Sequence, residues 1–255
     1  MSKLCKSCGG PVKDYPGKKV VNPDFCPYCC NEQGVLKSYK DIVDLMIEYL
    51  ELEHKEVKKE KRADTAREWI KENPAWKDKY LSSDVVIEDV RETSFKDIPA
   101  MNDKYDCKKC MYYQTGPSTI KSKKKWFLKM NKKYGSVGKI LYLKGEPAGF
   151  SQFATKKEFK KLEELEKTST KTDSWYISCL AIKKEFHGKG LGKMLLKEVI
   201  RSLEKQKVKK IHAFGLIKGD ASNYSSGYWS MYEKLGFKRI GGDDKFTVGE
   251  LIIKN

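Results

Sequence analysis

The sequence predicts an α+β fold, a mixed domain of ordinary size preceded by a small module stapled by cysteines. Three observations support this. From residue 84 onward, short β-type apolar runs alternate with helical stretches. Near the start, two Cys-x-x-Cys pairs sit among dense turn signals. Further on, a strand ending at Ile182 passes through a Gly-rich turn into an amphipathic helix that opens at Leu191. A chain of 255 residues has room for one ordinary domain and a smaller one.

The first 35 residues hold Gly9-Gly10-Pro11, Pro16-Gly17, Pro23 and Pro27, too many turn formers for a long helix or strand. So small a segment buries little apolar area and needs a staple. Cys5-x-x-Cys8 and Cys26-x-x-Cys29, 17 residues apart, are spaced for a tetrahedral zinc ion. Four thiolates leave no open position, so the expected zinc is structural. Cys30 follows Cys29 directly and could compete as a ligand, and a redox-active dithiol is the alternative reading. The region resembles the zinc ribbon domain found at the front of various bacterial and archaeal proteins, in its Cys-x-x-Cys-Gly opening and the acidic helical tail after the second knuckle.

Next, Asp41 is placed to cap a helix whose stripe is Ile42, Val43, Leu45, Met46, Tyr49, Leu50 and Leu52. Alternating Glu and Lys residues up to Lys61 read as its solvated end. A shorter helix is expected after Asp64 and before Pro74, anchored by Trp69, Ile70 and Trp76. The boundary is expected near Ser82-Ser83. The organisation is then a ribbon over 1–36, a helical extension or linker over 37–82 and the main domain over 83–255.

The main domain reads as strand 85–90, a short helix near 94–98, a basic helix over 119–134, and strands 139–143 and 148–153 joined around Gly145-Glu146-Pro147. A charged stretch over 156–167 reads as helix. Strand Trp175–Ile182, helix Leu191–Lys205, strand 210–216, helix Tyr228–Leu235 and two closing strands complete the order.

Charge and composition set limits. Residues 1–80 carry a net +2 and residues 81–255 a net +15. Such an excess attracts nucleic acid, an anionic surface or a polyphosphate. Lys outnumbers Arg, which favours a solubilising surface over a dedicated nucleic-acid face; a nucleic-acid partner is possible but not favoured. No apolar run is long enough to span a bilayer and no apolar leader follows Met1, so a cytoplasmic protein without a membrane partner is expected.

The most informative stretch is Leu180-Ala181-Ile182 through His187-Gly188-Lys189-Gly190-Leu191-Gly192. A helix start leaves backbone N–H groups without partners and is electropositive, and small residues let an anion approach them. The stretch resembles the acetyl-CoA signature of the GNAT (GCN5-related) N-acetyltransferase superfamily: an Arg or Gln, two residues, Gly, one residue, then Gly or Ala. Gly190 and Gly192 match, and His187 stands in place of the Arg or Gln. The resemblance covers residues 84–255. It extends to Tyr232-Glu233-Lys234-Leu235-Gly236-Phe237, where a helix closes on Gly and a strand opens with Phe.

The resemblance implies a central mixed, mostly antiparallel sheet flanked by helices and splayed between strand 175–182 and strand 210–216. The pantetheine arm would pair there with the backbone of Leu180, Ala181 and Ile182. It implies phosphate contacts from His187, through its backbone N–H, and from Gly188, Lys189, Gly190, Leu191 and Gly192. It makes Ile182 N–H the polariser of the thioester carbonyl and Tyr232 the acid for the departing thiolate. The family's usual glutamate base falls at Ser178, which is no base; Asp173, Glu146, His212 or a water chain could replace it. The family's asparagine ahead of the tyrosine falls at Ser225, with Asn223 out of register.

The implied activity is acetyl-CoA-dependent N-acetylation of a primary amine by direct transfer. The alternative is a catalytically weak GNAT domain that binds coenzyme A, with a ribbon that binds nucleic acid or a protein partner. The acceptor and the oligomeric state are not readable. Cys107-Lys108-Lys109-Cys110-Met111-Tyr112-Tyr113 resembles a Cys-x-x-Cys followed by aromatics near the acceptor side of some GNAT proteins. A second metal, a dithiol near the substrate and two ordinary buried thiols stay open there, and Cys179 reads as core.

Overall fold

The structure is a computed structural model that describes residues 3–80, 82, 84–102, 105–162, 174–219 and 226–253. Its helices are α1 (Tyr39–Glu53), α2 (Arg62–Lys71), α3 (Ile120–Tyr134), α4 (Leu191–Lys205) and α5 (Trp229–Glu233). Its strands are β1 (Val85–Asp89), β2 (Gly138–Leu143), β3 (Glu146–Thr155), β4 (Trp175–Ile182), β5 (Lys210–Leu216), β6 (Lys238–Gly242) and β7 (Phe246–Ile252). The seven strands form one mixed sheet in the order β1-β2-β3-β4-β5-β7-β6. Among the described residues no helix is long and apolar enough to cross a membrane. The chain divides into two compact units, residues 1–97 with 142–147, and residues 98–141 with 148–255.

In the first unit Ser38 caps α1, its side chain accepting from the Asp41 N–H at 3.2 Å. The cap is therefore Ser38, and Asp41 supplies charge to the first turn. The predicted stripe is buried at Ile42, Val43, Met46 and Leu50, while Tyr49 and Leu52 remain exposed. Helix α2 starts earlier than expected because a 3-10 turn over Lys59–Lys61 runs straight into it, with no capping side chain to mark the junction. Tyr39 is fully enclosed, its ring edge-on to Trp76 (5.4 Å), Tyr80 (5.8 Å) and Tyr142 (5.4 Å). Glu88, also buried, accepts from Tyr142 Oη (2.8 Å) and Arg91 Nη2 (2.6 Å). The β2–β3 turn is tighter than the sequence suggested. Lys144 (φ 52°) and Gly145 (φ 88°) form a two-residue loop, and Glu146 and Pro147 already belong to β3.

In the second unit β3 and β4 run antiparallel from Gly149↔Ile182 to Thr155↔Trp175. The register slips at Gln152/Phe153, leaving Ser178 as the extra residue of a β-bulge. Strand β4 then pairs in parallel with β5 only over Trp175–Ile177. Beyond Ile177 the two strands part, and β5 continues antiparallel to β7. The expected splay is thus present, set by the bulge and the short parallel ladder. Helix α4 buries Leu191, Leu195, Leu196, Val199 and Leu203, as its periodicity predicts. A core of Tyr113, Ala154, Phe159, Leu162, Tyr176, Phe214 and Val248 lies beside the parallel ladder. The predicted helix over 156–167 begins as a 3-10 turn at Lys156–Glu158, and residues 163–173 lie outside the described residues.

Candidate functional site

A cleft of about 580 Å³ opens in the second unit where β4 leaves β5. Its walls include Leu180, Ala181 and Ile182 from the end of β4, and His187, Gly188, Gly190, Leu191 and Gly192 from the turn into α4. Eight of the sequence-predicted residues therefore meet in one place. Lys189 stands in the same turn but outside the cleft lining, its Nζ 5.4 Å from the Phe186 ring centroid.

The turn is built by two left-handed glycines, Gly188 (φ +76°) and Gly190 (φ +75°). A Cβ added at either would meet nothing within 4 Å, so this backbone faces open space. Gly190 is the N-cap of α4 and no side chain caps the helix. The first bond of the helix runs from Met194 N–H to Gly190 C=O at 3.2 Å. Among the described residues the N–H groups from Gly188 to Lys193 find no acceptor. The helix dipole adds positive potential at this end, and Lys184, Lys193 and Lys234 reach the cleft lining. The arrangement suits a polyanion such as a diphosphate.

One expectation changes here. The His187 N–H is engaged by Lys184 C=O at 3.1 Å, closing a 3-10 turn, so the open amides begin one residue later. The His187 ring serves locally, its Nε2 donating to Ile182 C=O at 2.8 Å.

Tyr232 lies just behind the lining, with 1% of its surface exposed. Its ring is edge-on to Phe237 at 5.4 Å and lies 3.6 Å from where a Cβ would stand at Gly227. Burial pushes its phenol well above the usual tyrosine range, although the Gly227 N–H, by hydrogen bonding to the phenol, works the other way. The phenol therefore stays protonated at neutral pH. Gly227 and Met231 were not anticipated from the sequence. At Gly227 a Cβ would stand 2.5 Å from Met231 Cε and 3.4 Å from Leu180 Cδ2, so the glycine lets α5 close on β4. The three cleft lysines were missed because, in a chain with 52 Lys and Arg, no single one stands out.

The base candidates fare differently. Ser178 is buried in the bulge, accepting from Gln152 Nε2 at 2.9 Å and donating to Gln152 C=O at 3.3 Å. His212 is buried on β5, stacked on Tyr176 at 5.1 Å with Nε2 3.2 Å from Glu250, and is not in the cleft lining. Glu146 pairs with Lys40 at 2.9 Å in the first unit. Asp173, Asn223 and Ser225 lie outside the described residues.

In the first unit the sulfurs of Cys5, Cys8, Cys26 and Cys29 all lie within 4.8 Å of one another. Cys8 and Cys26 are 3.7 Å apart and Cys26 and Cys29 3.5 Å. A tetrahedral ion with metal–sulfur bonds of ~2.3 Å needs sulfurs ~3.8 Å apart, so these residues could hold zinc. Their mutual hydrogen bonds pull the Cys26 thiol down to about 7 and push those of Cys8 and Cys29 up. Cys30 turns away and donates to Cys26 C=O at 3.6 Å, which leaves Cys29 in the cluster. The first knuckle is tied down by Trp76 Nε1 to Ser7 Oγ (3.1 Å) and Ala75 N–H to Lys6 C=O (2.9 Å). Cys107 is buried and Cys110 exposed, so they are not two buried thiols.

Comparison with known proteins agrees with this geometry. The model of the acetyltransferase (GNAT) family matches residues 99–237. No curated protein matches the chain. Among solved structures, an N-acetyltransferase from Staphylococcus aureus Mu50 is similar at 17% identity and TM-score 0.48, covering 67% of this chain and 99% of that one. The ribosomal-protein-alanine N-acetyltransferase from Brucella melitensis is similar at 15% identity and TM-score 0.46, covering 66% and 99%. The PaiA N-acetyltransferase from Thermoplasma acidophilum, solved with coenzyme A, is similar at 13% identity and TM-score 0.40, covering 66% and 99%. The family model takes in the strand, the open-amide turn and the helix bearing Tyr232, and the chain belongs to the GNAT acetyltransferase family and is an acyltransferase.

Proposed function

We propose that the chain is an acetyl-CoA-dependent N-acetyltransferase that moves the acetyl group directly to a primary amine. The observation that carries this is the row of open amides from Gly188 to Lys193, facing a cleft that also holds Lys184, Lys193 and Lys234. A diphosphate seated there receives backbone hydrogen bonds, the helix dipole and lysine charge together. The edge of β4 from Leu180 to Ile182, past its ladder with β5, is free to pair with an extended amide-bearing arm.

The bound coenzyme supplies an acetyl thioester. Ile182 N–H polarises its carbonyl where negative charge develops. As the amine nitrogen bonds to the carbonyl carbon and the carbon–sulfur bond breaks, Tyr232 gives its proton to the sulfur. Its buried phenol keeps that proton across the neutral range. A water relay serves as base, since Ser178 cannot and His212 is stacked on Tyr176 with its Nε2 at Glu250.

The domain organisation we propose is a zinc ribbon over 1–36, a helical extension over 37–82 and the transferase over 83–255. The zinc is structural and its role is to cross-link the two knuckles. Eight free cysteines suit a cytoplasmic setting, where thiols stay reduced.

Calorimetric titration with coenzyme A, followed by thiol release from acetyl-CoA over a panel of primary amines, tests the reading. Binding together with amine-dependent release supports it. Binding without release from any amine points to the coenzyme-binding alternative, and absence of binding removes both.

A further inference from the structure

Helix α3 differs from its neighbours in charge. From Ile120 to Tyr134 it holds seven lysines and no carboxylate. Helices α1, α2 and α4 intersperse the two signs. Lys40 pairs with Asp44 on α1 at 3.2 Å, Arg67 with Asp64 on α2, and Arg201 with Glu198 on α4 at 3.4 Å. At ~100° per residue, Lys121, Lys125, Lys129 and Lys132 fall within an arc of ~80° and form a row ~16 Å long. All four are exposed, on the side of the helix opposite the buried Lys123, Phe127 and Met130. Among the described residues none of the four makes a hydrogen bond or an ion pair.

A second segment adds charge on one flank of the row. The stretch after β3 lies along α3, where Lys133 Nζ and Tyr134 Oη each donate to Glu158 at 2.7 Å and the Trp126 ring lies 5.6 Å from Phe159. Trp126 and Lys133 stand next to Lys129 around the helix. The segment therefore brings its exposed Lys157 and Lys160 to the Lys129 side of the row. Its one carboxylate, Glu158, is already taken by Lys133. Solubility does not require this arrangement. Like charges four residues apart on a helix repel, and Lys121 with Lys125, Lys125 with Lys129, and Lys129 with Lys133 are three such pairs. Interspersed glutamates would keep the surface soluble and would stabilise the helix as well. A polyanion laid along the row relieves the same repulsion.

We propose that the exposed face of α3, with its flank at Lys157 and Lys160, docks a double-stranded nucleic acid through the phosphates. The charge is of one sign and sits on a rigid rod, as does that of a duplex, which carries one phosphate per ~3.4 Å of axis on each strand. The row is built of lysine and holds no arginine. Arginine's fork selects carboxylates and base edges, whereas lysine is a point charge that meets a phosphate from any direction. That choice speaks for backbone contacts independent of sequence and against an acidic protein. A single strand is held by stacking its bases on aromatic rings. The exposed apolar neighbours of the row are Ile120 and Leu128, which offer no ring. Lysines that composition alone reads as solubilising are thus gathered on one face. The docking surface does not depend on the transfer reaction.

The test is fluorescence anisotropy of the full-length chain with short labelled duplexes of random sequence, DNA and RNA, over a salt series. At ~0.9 per contact, six lysine–phosphate contacts on DNA predict a slope of log affinity against log salt of about −5. Replacing Lys121, Lys125, Lys129 and Lys132 together with Gln should leave a slope of about −2 and weaken binding about tenfold or more at low salt. Duplexes of different sequence should bind alike. A control variant replaces Lys55, Lys58, Lys59 and Lys61 with Gln, four exposed lysines between α1 and α2. It removes the same charge and should keep the wild-type slope. Both variants should retain coenzyme A binding, and the α3 variant should melt no earlier than wild type, since like charges have left its helix. Absence of binding to either duplex, a slope near zero, or equal losses in the two variants overturns the proposal. A polyglutamate peptide that binds as tightly as the duplexes overturns it too, and assigns the face to an acidic protein. Should the α3 variant fail to fold, lysine acylation of the wild type mapped by mass spectrometry decides. Duplex should protect the α3 row, and labelling unchanged by duplex overturns the proposal.

Discussion

Replacing Gly190 with alanine separates backbone strain from anion binding, and the same change two residues later provides the control. Gly190 sits at φ 75°, ψ 1°, with nothing within 4 Å of a new Cβ. Alanine there clashes with nothing, so its whole effect on stability comes from the backbone. The left-handed conformation disfavours an L-residue by ~1–2 kcal/mol. The narrower unfolded ensemble of alanine returns ~0.4–1 kcal/mol of this. A net loss of about 1 kcal/mol is expected. Gly192 lies inside α4, where alanine gains up to ~1 kcal/mol of helix propensity. Its Cβ meets Met231 Sδ at 3.3 Å and Ile182 Cγ1 at 3.8 Å, and a flexible thioether can give by the tenths of an ångström needed. Gly192→Ala is thus neutral or stabilising. The two variants should differ by ~2 kcal/mol, or about 4–8 °C in Tm for a chain of this size. Binding should diverge as well. Any backbone relaxation in the Gly190→Ala variant swings the adjacent N–H groups off the diphosphate, and losing one hydrogen bond to a charged acceptor is worth at least ~1.5 kcal/mol. Calorimetry with coenzyme A should show about a tenfold weaker Kd for Gly190→Ala and little change for Gly192→Ala. Two variants that melt together, or a Gly190→Ala protein that binds coenzyme A like wild type, would refute the assignment of this turn as the anion cradle.

Other consequences follow from the same geometry. Tyr232→Phe should lower turnover by about 10²–10⁴-fold while coenzyme A binds normally, as measured by steady-state kinetics beside calorimetry. Burial raises the pKa of Tyr39, Tyr142 and Tyr232 above their unfolded values. Their contribution to stability is therefore fully present below pH ~10 and is lost as pH rises through the folded values. Urea midpoints should hold up to about pH 10 and then fall, by up to ~1.4 kcal/mol per pH unit for each of these tyrosines; a rise above pH 10 would contradict the burial argument. Stripping metal with a strong chelator should loosen the first knuckle and red-shift Trp76, whose indole is bonded to Ser7; an unchanged emission would mean that no metal holds the knuckle. Glu88→Ala leaves Arg91 and Tyr142 without their shared acceptor and should destabilise by ~3 kcal/mol in equilibrium unfolding.

Several features were legible from sequence because they are local. The helix 191–205 announces itself through leucines at helical spacing, and the structure buries those positions. Strand 175–182 is a continuous apolar run ending in charge, and it ends at Ile182 as expected. The Gly-rich turn was readable because only glycine takes positive φ without strain, and two glycines do so there. The two knuckles were readable because metal chemistry constrains their spacing, and the four sulfurs do converge. Where local signals were weak, boundaries drifted, as at α2, which begins without a capping side chain.

What tertiary structure decided lies between residues distant in sequence. No spacing rule brings Lys123 to Gln152 and Gln152 to Ser178, because those contacts depend on which faces the bulge at Ser178 turns inward. No periodicity shows that the His187 N–H is taken by Lys184 while its neighbours remain open. Nor could lysine count single out Lys184, Lys193 and Lys234 as the ones that reach the cleft. By itself the sequence determined the elements and the glycine turn, since backbone preference and hydrophobic period act over a few residues. The fold determined which side chains meet, since burial and hydrogen bonding act through space.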